Sequence, residues 1–309
     1  GYFRGFYTRR ARRILAPYYL LLVLSSVLFG TVWLKEWYWY AFFASNIPNA
    51  LHSVPHLSLD VLWSLAVEEQ FYLLWPIAIL FLPETALVWT AMLLIALTPV
   101  LRGIATSFVS NSAPIYHLMP FRMDLLAAGA LIALLWRRSP ATIRHIPLLG
   151  PALVACAGGA LINLSTFASF RTGANGRFNN VVLYSFTLSV AVGLLLWSLQ
   201  GQGFFPAILR LRFIRFLGRI SYSMYLVHVC FILLAQQQFS NRWAVFATAF
   251  PATIAYSTVS WFVLERRLLR HTSGRREVIT MHSRTKLEFS DTEAPEPAGQ
   301  GRSVARRRH

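Results

Sequence analysis

The feature that most constrains this chain is the recurrence of apolar runs close to twenty residues long, each able to cross roughly 30 Å of hydrocarbon as a helix. Composition agrees, since 56% of the 309 residues are hydrophobic and only 13% are charged, where soluble domains carry about 25% charged residues. An ordinary soluble enzyme is excluded, and the expected fold class is an all-α polytopic membrane protein. Eight spans are expected: Ile14–Leu34, Val67–Leu82, Ala86–Leu101, Arg122–Trp136, Pro147–Leu164, Val181–Leu199, Ile220–Gln236 and Trp243–Leu264. The longest connection, Lys35–Ala66, carries the aromatic stretch Trp37–Phe43. That stretch suits a helix lying in the interface rather than a ninth crossing.

The net charge of +17 would suggest nucleic acid in a soluble protein, but membrane proteins collect Lys and Arg in cytoplasmic loops. With the N-terminus inside, twenty-three basic residues fall on inner segments and six on outer ones: Lys35, Arg102, Arg122, Arg171, Arg177 and Arg242. The bias places both termini in the cytoplasm, in a bacterial-type cytoplasmic membrane, with no nucleic-acid partner. Residues 1–267 form the membrane domain, and the polar, basic, Pro/Gly-containing tail 268–309 is expected to be disordered. The chain starts at Gly1, beside a basic cluster and a span, which predicts an N-terminal truncation. A signal peptide fits less well, because the apolar run is too long for an h-region and lacks a small-residue cleavage site. Cys156 and Cys230 sit inside apolar runs and are expected to be small buried hydrophobes, with no disulfide framework or metal-ligand spacing.

Acidic residues are informative because a carboxylate near mid-bilayer costs about 2.5 to 3.5 kcal/mol on insertion scales. Seven lie outside the tail: Glu36, Asp60, Glu68, Glu69, Glu84, Asp124 and Glu265. Glu68 and Glu69 fall in WSLAVEEQFYLLWP, Trp63–Pro76, just inside the expected outer end of the second span. Neighbours about 100° apart let one acid face the bundle while the other points elsewhere; alternatively both complement a helix N-terminus. Arg122 and Asp124 open the fourth span at the same level, either as a pair that orients an acceptor hydroxyl or as a structural ion pair. Ser221, Tyr225 and His228 share one helical face, and such a histidine is more often a hydrogen-bonded packing residue than a catalyst. In YTRRARRILAPYY, Arg9 with Arg12 and Arg10 with Arg13 form two overlapping RxxR pairs. Either pair could grip a phosphate at the cytoplasmic surface, or simply anchor the inner end of the span.

Together these segments resemble the membrane acyltransferase-3 family of integral-membrane O-acyltransferases. The carriers are WSLAVEEQFYLLWP from Trp63, FLGRISYSMYLVH ending at His228, FRMDLLAAG from Phe121 and RRARRILAPYY from Arg9, in the family's order, across Phe3–Arg267. The resemblance implies a domain of about ten helices, of which the first two, with the proposed main catalytic histidine, are missing; this chain alone is therefore expected to be inactive. It also implies acyl-coenzyme A, commonly acetyl-coenzyme A, as co-substrate on Arg10 and Arg13, with no bound cofactor and no metal. Glu68, Glu69, Arg122 and His228 are the implied catalytic candidates, and Trp63, Ser64, Asp124 and Tyr225 lie on the acceptor side. The implied partners are the lipid bilayer, acyl-coenzyme A and a hydroxyl-bearing polysaccharide, lipid-linked glycan or related acceptor. A transporter or flippase of a glycan or lipid is the alternative, since buried His and carboxylates also mark substrate pathways.

Overall fold

The computed structural model describes residues 2–51, 57–141, 148–166, 175–201 and 203–268. Every regular element among them is helical. In chain order they are α1 (Tyr2–Phe29), α2 (Trp37–Ala41), α3 (Asn46–Leu51), α4 (Leu62–Phe81), α5 (Glu84–Ala105), α6 (Ala113–His117), α7 (Met123–Arg138), α8 (Leu149–Thr166), α9 (Tyr184–Gln200), α10 (Phe204–Leu209), α11 (Arg212–Gln238) and α12 (Arg242–Ser260). π-Helical turns at Asn179–Leu183 and Trp261–Glu265 precede α9 and follow α12.

Each expected span coincides with one long helix. Among the described residues, six helical stretches are apolar and long enough to cross a membrane: Gly5–Phe29, Leu62–Phe81, Glu84–Ala105, Asn179–Gln200, Arg212–Gln238 and Arg242–Leu268. α7 has 16 residues, and the apolar part of α8 is Leu149–Leu161. The Trp37–Phe43 stretch forms only the five-residue α2, too short to cross. The boundaries that differ most from the sequence reading are the starts of α1 at Tyr2 rather than Ile14, of α4 at Leu62 rather than Val67 and of α11 at Arg212 rather than Ile220, and the end of α1 at Phe29 rather than Leu34. α1 and α4 run straight through the charges read as marking a membrane boundary, with Arg10 of one paired sideways to Glu69 of the other. Cys230 is buried as expected, but Cys156 is exposed. α8 is apolar all round, so nothing in its pattern selects which side faces inward. The tail beyond Leu268, with its expected disorder, lies outside the described residues.

α1 and α4 run antiparallel: the Tyr7 hydroxyl donates to the Tyr72 carbonyl at 3.4 Å, and Arg10 meets Glu69. α11 runs along α1, with the Tyr222 hydroxyl donating to the Ile14 carbonyl at 3.1 Å. That bond lies beside a weak point, because Pro17 lacks the amide that would otherwise bond to the Arg13 carbonyl. Tyr18, Leu21, Leu62, Leu65, Leu226 and Val227 are buried where these helices meet. In lipid such contacts act through close packing and small polar bonds, among them Ser25 to Ser58 at 2.8 Å. α8 and α9 approach through glycine: a Cβ at Gly150 would stand 2.7 Å from the Trp197 amide nitrogen and 2.9 Å from the Gly193 carbonyl.

Candidate active site

Glu69 is the eighth residue of α4 and lies twelve residues before its end at Phe81, about 18 Å along the axis at 1.5 Å per residue. The acidic pair therefore sits well inside the helix, not at an outer rim, and Arg10 is at the same level. This corrects the expectation that arginines and acids occupy opposite membrane faces. The Arg10 Nε donates to both Glu69 carboxylate oxygens at 3.1 and 3.2 Å, and its terminal nitrogen donates at 2.9 Å. The same guanidinium lies 3.2 Å above the Tyr72 ring centre. Glu68 points elsewhere, as the 100° step requires. It opens on a cleft of about 440 Å³ shared with Arg9, Arg10, Arg13, Tyr72 and Tyr222. Arg9 and Arg13 have no ion pair among the described residues, so their guanidinium donors are open to an anionic group that enters the cleft. Behind it Glu265, 1% exposed, accepts from the Ser223 hydroxyl at 2.6 Å and the Ser260 hydroxyl at 3.3 Å, within electrostatic reach of Arg13.

One helical turn from Glu68, on the same face of α4, is Ser64. The Tyr225 hydroxyl donates to the Val61 carbonyl at 2.8 Å and shares a short hydrogen bond with the Ser64 hydroxyl. Trp63 leads to a second polar layer. The Arg122 guanidinium stands 5.3 Å from the Trp63 ring centre, 4.6 Å from Tyr116 and 4.5 Å from Tyr184, and its Nε donates to the Tyr116 carbonyl at 2.9 Å. His117 packs edge-on against Trp63 at 5.1 Å, with Nδ1 2.9 Å from the Ala113 carbonyl. Burial pushes His117 below its ordinary value and the Asp60 carboxyl above its own; Asp60 accepts from the Asn49 amide at 2.9 Å.

Asp124 does not pair with Arg122. Its partner is Arg102, at 2.7 Å, with side chains 1% and 0% exposed; Arg102 also donates to the Phe121 carbonyl at 2.8 Å. The reason is geometric, since residues two apart at a helix start point to different sides. Asp124 is thus buried in an ion pair with Arg102 and not with Arg122. Ser221, Tyr225 and His228 do share one face, lining an apolar groove of about 410 Å³ with Phe246 and Phe250. His228 Nδ1 lies 2.6 Å from the Tyr225 carbonyl, one turn from the Ser64 bond, yet its ring opens on this groove and not on the arginine cleft. Sequence reasoning missed Tyr72, Tyr222, Tyr116, His117 and Tyr184 as site residues. It also gave no role to Arg102 or Glu265, although a charge at the edge of an apolar run is a signal that could have found both.

A relative from Bacillus subtilis (strain 168), "Putative peptidoglycan O-acetyltransferase YrhL", is 24% identical over 260 residues, which cover 75% of this chain and 40% of that protein. The chain thus spans less than half the length of the curated relative it matches. No solved structure matches it. Residues 2–265 match the acyltransferase domain that defines the acyltransferase-3 family, a stretch that holds every residue of both layers, and the chain accordingly belongs to that family of acyltransferases.

Proposed function

We propose that this domain transfers an acyl group, acetyl by resemblance, from acyl-coenzyme A to a hydroxyl of a cell-surface or lipid-linked glycan. The observation that carries the reading is the cleft where Arg9 and Arg13, without an ion pair among the described residues, stand beside Glu68, one turn of α4 from the Ser64–Tyr225 bond. Arg10 is occupied by Glu69, so Arg9 with Arg13, four apart on one face, replaces Arg10 with Arg13 as the pair available to coenzyme A phosphates through charge-assisted bonds. In the reaction the acceptor oxygen attacks the thioester carbonyl, a C–O bond forms, the C–S bond breaks, and the hydroxyl proton ends on the coenzyme A thiol. In this reading Glu68, the carboxylate that lines the cleft, is the group of this chain that takes up that proton on its way. Eight crossings with both ends cytoplasmic, in a bacterial-type cytoplasmic membrane, accord with the basic bias of the inner segments. The donor would then enter from inside and the acceptor from outside.

The test uses the full-length protein in proteoliposomes with labelled acetyl-coenzyme A. Donor binding is expected to weaken about tenfold on Arg13→Ala, in line with one lost charge-assisted bond, and thioester loss is expected to fall with it. Unchanged donor binding in a folded variant would remove the clamp. Glycan movement across the membrane without thioester loss would replace the reading by a transporter.

A further inference from the structure

Arg122 is a cation whose nearest carboxylate, Asp124, acts on it only at a distance. Among the described residues it makes no ion pair; Asp124, the nearest acid in sequence, is taken by Arg102, and Asp60 is held by Asn49 and couples to His117. Its Nε is used on the Tyr116 carbonyl, and among the described residues the two terminal nitrogens of the fork make no hydrogen bond. Trp63, Tyr116 and Tyr184 wall the guanidinium at 4.5 to 5.3 Å. Arg122 also caps α7, so the positive end of that helix dipole adds to its field. A planar fork with free donors matches a carboxylate or phosphate bidentately, while an indole face beside it suits the apolar face of a sugar ring.

We propose that Arg122 and its aromatic walls form a recognition site for an anionic saccharide, the ring lying against Trp63 and its carboxylate or phosphate on the Arg122 fork. The inference deepens the acyl-transfer reading, on which it rests only for the identity of the molecule that arrives there as acceptor. The site stands six residues of α4 from Glu69, about 9 Å along the axis. A sugar held there by its anion presents its hydroxyls toward the Ser64–Tyr225 bond and the cleft beyond.

The full-length protein in nanodiscs is titrated calorimetrically with three probes: a glucuronate-bearing disaccharide, its carboxyl-reduced neutral counterpart and a hexose 1-phosphate. The acidic probe that fits is expected to bind about tenfold tighter than the neutral one. A stronger preference for the uronate identifies a sugar carboxylate as the source of the anion, and one for the phosphate identifies a sugar phosphate. Arg122→Gln is expected to erase the preference while leaving affinity for the neutral sugar and for acyl-coenzyme A unchanged. Trp63→Leu weakens acidic and neutral sugars alike and leaves their ratio intact. Equal binding of acidic and neutral probes, no binding of any, or a preference that survives Arg122→Gln overturns the proposal. Where Arg122→Gln does not fold, Arg122→Lys, which keeps the charge but loses the fork, must reduce the preference, and an unreduced preference overturns it. The sugar titrations contain no acyl donor, and acyl-coenzyme A is titrated separately, so failure of acyl transfer leaves the sugar result standing, and loss of the acid preference leaves the transfer reading standing.

Discussion

Replacing Asp124 by Asn is expected to cost about 3 kcal/mol of stability. The Arg102 side chain is fully buried and Asp124 is its only ion-pair partner among the described residues. Removing one member of such a pair leaves an uncompensated charge, and losses of about 3 to 5 kcal/mol are usual. The lower end applies here because Arg102 keeps the Phe121 carbonyl at 2.8 Å and the Tyr184 ring at 4.9 Å, and because an Asn oxygen still accepts. About 3 kcal/mol is roughly a 150-fold fall in the folded-to-unfolded ratio, large enough to read by thermal unfolding in detergent. The double replacement Arg102→Met with Asp124→Leu removes both charges and is expected to return to within about 1 kcal/mol of the starting protein, since well-packed apolar residues often replace a buried pair without loss. Asp124→Asn unfolding at the parental temperature while abolishing acyl transfer would refute this reasoning and return Asp124 to the acceptor side.

Glu69→Gln is expected to lower stability by about 1 to 2 kcal/mol, less than the Asp124 change because its pair with Arg10 is 18–20% exposed, and to leave acyl-coenzyme A affinity undiminished. A collapse of donor affinity in a folded Glu69→Gln protein would mean that Glu69 touches the donor. Gly150→Ala drives a Cβ into the α9 backbone and should cost about 1 to 3 kcal/mol as overpacking; an unchanged unfolding temperature would contradict the close approach of α8 and α9. His117, depressed by burial, binds its proton more weakly folded than unfolded. Its contribution is present above its unfolded value of about 6.5 and is lost as pH falls toward the depressed value. The unfolding temperature should therefore decline below about pH 6.5, and His117→Gln should flatten that decline. Asp60, raised by burial, acts in the opposite direction, stabilising below its unfolded value and losing that contribution as pH rises through the folded one.

The eight long helices were legible because apolar runs near twenty residues have few alternatives to a helix. That the α2 stretch is no crossing was legible too, and the helix it forms has only five residues. Lateral pairing was not. Arg10 and Glu69 are 59 positions apart, and nothing in either segment says that α1 and α4 run antiparallel in a register that joins them. Arg122 and Asp124 stand two apart, and their adjacency suggested a pair that helix geometry forbids; Arg102, counted only as a loop charge, supplied the true partner. The Ser221, Tyr225 and His228 face followed from a periodicity of 3.6, but the groove it lines depends on α12. Cys156 failed for the same reason, because an evenly apolar helix does not encode which side meets its neighbours.

α4 carries Trp63, Ser64, Glu68 and Glu69 on one uninterrupted helix, which makes it a spacer of fixed length. Inserting a single residue between Ser64 and Glu68 would turn everything on one side by about 100° and advance it by about 1.5 Å, leaving each layer intact but facing the wrong neighbour. Movement of α1, which carries Arg9 and Arg13, or of α11, which carries Tyr225, would change what faces this axle while Trp63, Ser64, Glu68 and Glu69 keep their spacing along it.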